Sequence, residues 1–159
     1  MRLPIGLGES MMELSGERDP HTGEYLQSRL VRLEAAFADN RGSIQPLVNI
    51  PTHNVSLIDS KRGTVRSNHY HKTDWHYIYV ISGKLDYYYR PHGTGEPIRR
   101  FEAKGGDMIW TPPMEDHTTV FTDDTLILAL SLHPRDQKAY ESDVERIVLV
   151  DPLTLQLVA

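Results

Sequence analysis

Four histidines carry the strongest chemical signal in this chain: His69, His71, His76 and His117. His69 and His71 are two residues apart, so on a β-strand both side chains leave the same face. His76 follows five residues after His71, which leaves room for a tight turn, Lys72 to Trp75, and an antiparallel return. All three imidazoles can then converge on one space. His117 arrives from a distant strand, behind the rigid turn Thr111-Pro112-Pro113. Neutral imidazole suits zinc, iron, nickel and copper, and is also used with manganese. Three or four such ligands inside a barrel leave coordination positions open, as a catalytic metal requires and a closed structural site does not. A lone histidine on a strand is ordinarily hydrogen-bonded or solvated. The constellation is what argues for one divalent transition metal, zinc, nickel, iron or manganese. His21, His53, His92 and His133 lie outside it and are read as ordinary structural residues.

Strand parity extends the set. Thr119 and Phe121 share the face of His117 and are expected to line the same space. If Gly83-Lys84 is a two-residue turn, Val80 lies opposite Tyr87 and Ile78 opposite Tyr89. His76 faces inward, so Tyr87 and Tyr89 would too, while Tyr77, Tyr79 and Tyr88 face outward; a slip of one residue reverses this. An inward tyrosine can donate a proton or bind substrate; the alternative is a barrel-filling aromatic with a satisfied hydroxyl. Asp74 and Asp116 are either acceptors that orient a ligand imidazole or solvated residues. Arg66 is either a bidentate phosphate contact or a surface residue.

The elements that must hold these residues read as β-structure. His76 to Ile81 is β-branched and aromatic, and Leu85 to Tyr89 repeats the composition after Ser82-Gly83-Lys84, so the two read as a hairpin. Alternation from Leu30 to Ala35 suits a strand, closed by a turn at Asp39-Asn40-Arg41-Gly42. Ile44 to Ile50, Asn54 to Ile58, a short strand at Phe101, Asp107 to Trp110, His117 to Phe121 and Thr125 to Leu132 continue the series. A short helix is possible after Pro134, with a last strand from Ile147 to Val150. Many short strands punctuated by Gly and Pro point to an antiparallel sandwich or barrel. Residues 1–24 read as an N-terminal arm and 25–159 as one barrel domain.

Composition narrows the function classes. The chain has 159 residues, a net charge of −5 and no cysteine, which excludes disulfides and thiolate ligands. The sequence pI of about 5.9 and the interleaved charges argue against nucleic-acid binding and against a basic membrane-binding surface. No stretch has the length and polarity of a signal peptide or a membrane span. A cytoplasmic protein acting on a small molecule is the expectation.

The motif spacing resembles the cupins. Gly63 is followed by five residues, His69-Tyr70-His71, four residues, His76, six residues and Gly83. Gly106, Pro112 and His117 match a second cupin motif, with Met114 where that motif has Gly. The resemblance implies an all-β, double-stranded β-helix (a jelly-roll-like antiparallel barrel) with little helix, and a metal held by His69, His71, His76 and His117. His76 stands where the family usually has Glu, so four neutral ligands would leave the ion at its full +2, favouring anionic substrates. A narrower resemblance is to cupins acting on nucleotide-linked sugars. Asp39-x-Arg41-Gly42 and Gly63-x-x-Arg66-x-x-His69-Tyr70 look like segments of the 3,5-epimerases and ketoisomerases of deoxy-keto-sugars. That resemblance implies phosphate contacts by Arg41 and Arg66, His69 as general base and a homodimer. Those epimerases need no metal, and His71 and His76 depart from their pattern. Three readings stay open: an isomerase or epimerase of a keto sugar, an Fe(II) dioxygenase of a small organic substrate, and a non-catalytic metal or small-ligand binder.

Overall fold

The computed structural model describes residues 29–158. The expected N-terminal arm and His21 lie outside the described residues. In chain order the strands are β1 (Arg29–Val31), β2 (Phe37–Asp39), β3 (Gly42–Ile44), β4 (Asn54–Ser60), β5 (Val65–His71), β6 (His76–Ser82), β7 (Lys84–Pro91), β8 (Arg99–Lys104), β9 (Met108–Thr111), β10 (Glu115–Phe121) and β11 (Thr125–Ser131). A short helix, α1 (Gln137–Asp143), and β12 (Val144–Arg146) follow. Two five-stranded sheets form, in the orders β1-β9-β6-β11-β4 and β12-β5-β10-β7-β8, and β2 and β3 make a separate hairpin. All pairings within the two sheets are antiparallel. This is the all-β barrel expected from the strand pattern. Among the described residues no helix is long and apolar enough to cross a membrane.

The expected hairpin between β6 and β7 does not form. β6 pairs with β9 and β11, whereas β7 pairs with β8 and β10, in the other sheet. Gly83 is the corner where the chain changes sheets. Its φ is +89°, and a Cβ there would stand 2.3 Å from the Asp124 carbonyl oxygen. The inward assignment survives for a different reason: the inner faces of both sheets meet in one core. Ile78, Val80, Leu85, Tyr87, Ile109 and Phe121 pack there. Tyr77 points outward from the barrel but is not solvated. It joins Trp75, Met108, Trp110 and Leu130 in a second cluster, covered by Val31, Leu33, Leu47, Val48 and Ile50.

Three strand expectations shift. The first strand ends at Val31 rather than running to Ala35. Pairing stops after Ile44 rather than running to Ile50; Pro46, with no N–H to give, interrupts it. The last paired strand falls at Val144–Arg146, because it docks on β5 opposite His69 to His71. Val150 makes only an isolated bridge with Leu157.

Candidate metal centre and its cavity

The histidines gather at one end of the barrel interior. Along β6 the inward residues run His76, Ile78, Val80, and along β10 they run His117, Thr119, Phe121, so both strands grade from imidazole to apolar. β5 brings His69 opposite His117. The register between β5 and β10 shifts next to that pair, and Ser67 and Asn68 adopt φ of 71° and 54°. Bulges of this kind re-aim a side chain. Asn68 secures this one. Its Oδ1 accepts from the Leu149 N–H at 2.9 Å and from the Thr118 hydroxyl, and its Nδ2 donates to the Val150 carbonyl at 2.9 Å.

His69, His71 and His117 are buried, and each offers a ring nitrogen within 4.8 Å of the others. Their rings stand edge-to-face at 4.8 Å (His69–His71) and 4.7 Å (His69–His117). His76 flanks this group, 5.3 Å from the His71 ring and 5.1 Å from the His117 ring. His71 Nδ1 lies 3.0 Å from Asp143 Oδ2, and His117 Nδ1 lies 2.9 Å from the Glu115 carbonyl oxygen. Both partners only accept, so Nδ1 carries the proton and Nε2 keeps its lone pair. The Nε2 atoms of His71 and His117 and the Nδ1 of His76 are buried without a protein partner. The unpartnered Nε2 atoms of His71 and His117, on two members of the three-histidine group, fit a divalent cation.

Burial is the first cause of depressed basicity here. It holds His76 well below the ordinary histidine value and His117 down to about 3, with His71 adding to the effect on His117. It pushes His69 far down, helped by the neighbouring His117 and His71, and lowers His71 against the opposing pull of Asp143. All four imidazoles are therefore neutral at physiological pH, the form a metal needs.

Asp143 was not singled out from the sequence. It sits at the end of α1 and joins distant parts of the chain. Its Oδ1 accepts from Thr73 N–H at 2.8 Å and from the Thr73 hydroxyl at 2.7 Å, while Oδ2 accepts from Asp74 N–H and faces His71. Burial alone would raise its carboxyl, but the donors outweigh it and hold the group below the usual range. Of the two aspartates considered for this role, Asp74 is buried with a carboxylate oxygen within 4.8 Å of the His71 ring nitrogen, and Asp116 acts elsewhere. Asp74 accepts from the His133 N–H. Asp116 is buried between Arg90 at 2.9 Å and His92 at 2.7 Å.

A cavity of about 140 Å³ opens beside the histidines. His69, His76, Thr119, Phe121, Ile58, Ile78, Ile127 and Ala129 line it, with Arg66, Ser67, Arg135 and Tyr140. Thr119 and Phe121 thus line it as strand parity predicts, and Arg66, exposed on β5, lines it too. Arg66 is steadied by bonds to Ser60 Oγ (2.8 Å) and the Asp59 carbonyl (3.1 Å). Tyr87 and Tyr89 do not line it. Tyr87 fills the core, stacked on Phe101 and hydrogen-bonded to Thr111, and Tyr89 packs against the same cluster. Arg41 sits on the exposed β2–β3 hairpin, paired with Asp39 at 2.6 Å, beside a different depression. Arg135 and Tyr140 follow the last long strand, where no periodicity in the sequence marks an inward face. Tyr140 lies 6.2 Å from the His69 ring and 5.9 Å from the His71 ring.

No family model matches the sequence, and no curated relative matches it. The fold has solved counterparts. A sugar 3,4-ketoisomerase from Thermoanaerobacterium thermosaccharolyticum, solved with TDP, superposes with a TM-score of 0.61 at 16% identity, covering 76% of this chain and 88% of that one. A dTDP-4-dehydrorhamnose 3,5-epimerase from Sulfolobus tokodaii gives 0.58 at 18% identity, over 76% and 81%. The capsular polysaccharide assembling protein CapF from Staphylococcus aureus gives 0.54 at 23% identity, over 73% of this chain and 34% of that one. At these identities the likeness is one of fold: a cupin-type barrel.

Proposed function

We propose that this protein is a metal-dependent isomerase or epimerase acting on a keto sugar, free or nucleotide-linked. The observation that carries the reading is the group of buried imidazoles, His69, His71 and His117, whose ring nitrogens lie within 4.8 Å of one another beside a cavity. The barrel shared with sugar ketoisomerases and an epimerase supports the substrate class. His69, His71 and His117 would hold one divalent transition metal, with His76 alongside. An ion held there would supply Lewis-acid polarisation of a keto group.

The chain's own groups supply binding and proton handling. Arg66, tethered to Ser60, is one phosphate contact. Thr119 and Phe121 bound the sugar. Tyr140, half-buried in the cavity wall, has its hydroxyl pKa raised first by burial, so it keeps its proton and serves as donor. Tyr87 and Tyr89, packed away from the cavity, have packing roles in this reading.

Two measurements test it. Plasma mass spectrometry on untagged protein should find about one equivalent of transition metal, lost in His71→Ala. Incubation with TDP-4-keto-6-deoxyglucose in D2O should then wash deuterium into carbons beside the keto group. No metal in either protein after reconstitution sinks the metal assignment, and no wash-in sinks the isomerase.

A further inference from the structure

Among the described residues Arg135 is a cation without a counter-charge. It forms no ion pair among the described residues, and its Nε is buried without a hydrogen-bond partner. Its guanidinium carbon lies over the Tyr140 ring, 5.5 Å from the centroid. Tyr140 in turn stands edge-on to His69 and His71. Both residues line the histidine cavity, together with Arg66. Among the described residues no aspartate or glutamate lines it.

The mounting is firm. Asp136 caps the next helix through Ala139 N–H at 3.0 Å, and Asp143 ties its far end to His71 and Thr73. Taking a cation partly out of water with no opposite charge is unfavourable. An oxyanion in the cavity would offset that, and a guanidinium fork matches carboxylate and phosphate geometry.

We propose that Arg135 is the oxyanion-binding residue of the histidine cavity, so that the cavity's ligand carries a carboxylate or phosphate docked on its guanidinium. Arg66 is the second cationic contact. The inference rests on the histidine cavity being the ligand site, but not on the metal.

Titration calorimetry of the full chain with inorganic phosphate, TDP and pyruvate tests it, using wild type, Arg135→Gln, Arg135→Lys and His71→Ala. At least one probe should bind wild type. Arg135→Gln should weaken it by about tenfold or more, as loss of a charge-assisted contact does. Arg135→Lys should recover part, with metal content unchanged in both. Binding of pyruvate alone identifies a carboxylate ligand; binding of TDP and phosphate identifies a phosphate one. Anion binding that persists in metal-free His71→Ala and still depends on Arg135 supports the inference even if the metal assignment fails. Wild-type affinity in Arg135→Gln overturns it, as does failure of all three probes to bind wild type.

Discussion

Two of the histidines have one nitrogen committed to the protein, and that commitment frees the other. His71 is held by Asp143 and His117 by the Glu115 carbonyl, which sets both tautomers with Nε2 lone pairs inward. Asp143 lies 72 residues from His71 in sequence. Asp143→Asn puts an amide where the carboxylate stood, so the His71 N–H loses its charged acceptor. Metal affinity should fall by roughly 10- to 100-fold, the usual effect of removing an orienting carboxylate behind a ligand. Competition with a chromophoric chelator measures it; an unchanged affinity would mean that Asp143 does not orient His71.

At the level of elements, the crossing at Gly83 and the bulge at Ser67-Asn68 do most to position the site. The crossing sends β6 and β7 to different sheets, so that His76 and Tyr87 approach the interior from opposite walls. Gly63 and Gly83 occupy matching motif positions and both have positive φ, +80° and +89°. Their surroundings differ. A Cβ at Gly63 meets nothing within 4 Å, whereas at Gly83 it meets the Asp124 carbonyl and Thr125 backbone and hydroxyl within 2.7 Å. Gly63→Ala should therefore lose only the conformational penalty, about 1 kcal/mol. Gly83→Ala should lose that plus the backbone displacement, about 3 kcal/mol or more in total. Urea unfolding of the two variants gives the comparison; equal losses would contradict the tight crossing.

For the whole molecule, the buried histidines tie stability to pH. Their folded-state pKa values lie below the ordinary value of 6.5. Below that pH the unfolded chain takes up protons that the folded one refuses, so stability is full above about 6.5 and is lost as pH falls. A histidine that stays neutral in the folded state while it charges in the unfolded one contributes a slope of at most about 1.4 kcal/mol per pH unit, and for His117 the loss continues to about pH 3. Asp74, whose carboxyl is raised by burial, acts in the opposite sense, but it is one group against four. The urea midpoint should drop steeply between pH 7 and 5, and less steeply in His117→Gln. A flat profile would show that the imidazoles can charge in place. Metal loading should fall over the same range, because protons and metal compete for the same nitrogens.

The sequence by itself determined the strand-rich class, the four histidines and the inward face of β10, because the period-2 alternation that buries Phe121 also directs His117 and Thr119. Spacing alone brought His69 and His71 to one face. It could not determine which strands pair, since alternation specifies a face and not a neighbour; β6 and β7 read as a hairpin and are not one. Nor could it place Arg41 away from the cavity, or recruit Asp143, Arg135 and Tyr140 to it. Those residues reach the histidines only because the chain after β11 folds back to pair with β5 and line the cavity. That return is held by contacts of long sequence separation, Asp143 to His71 and Thr73 and Asn68 to Val150, which leave no local pattern in the chain.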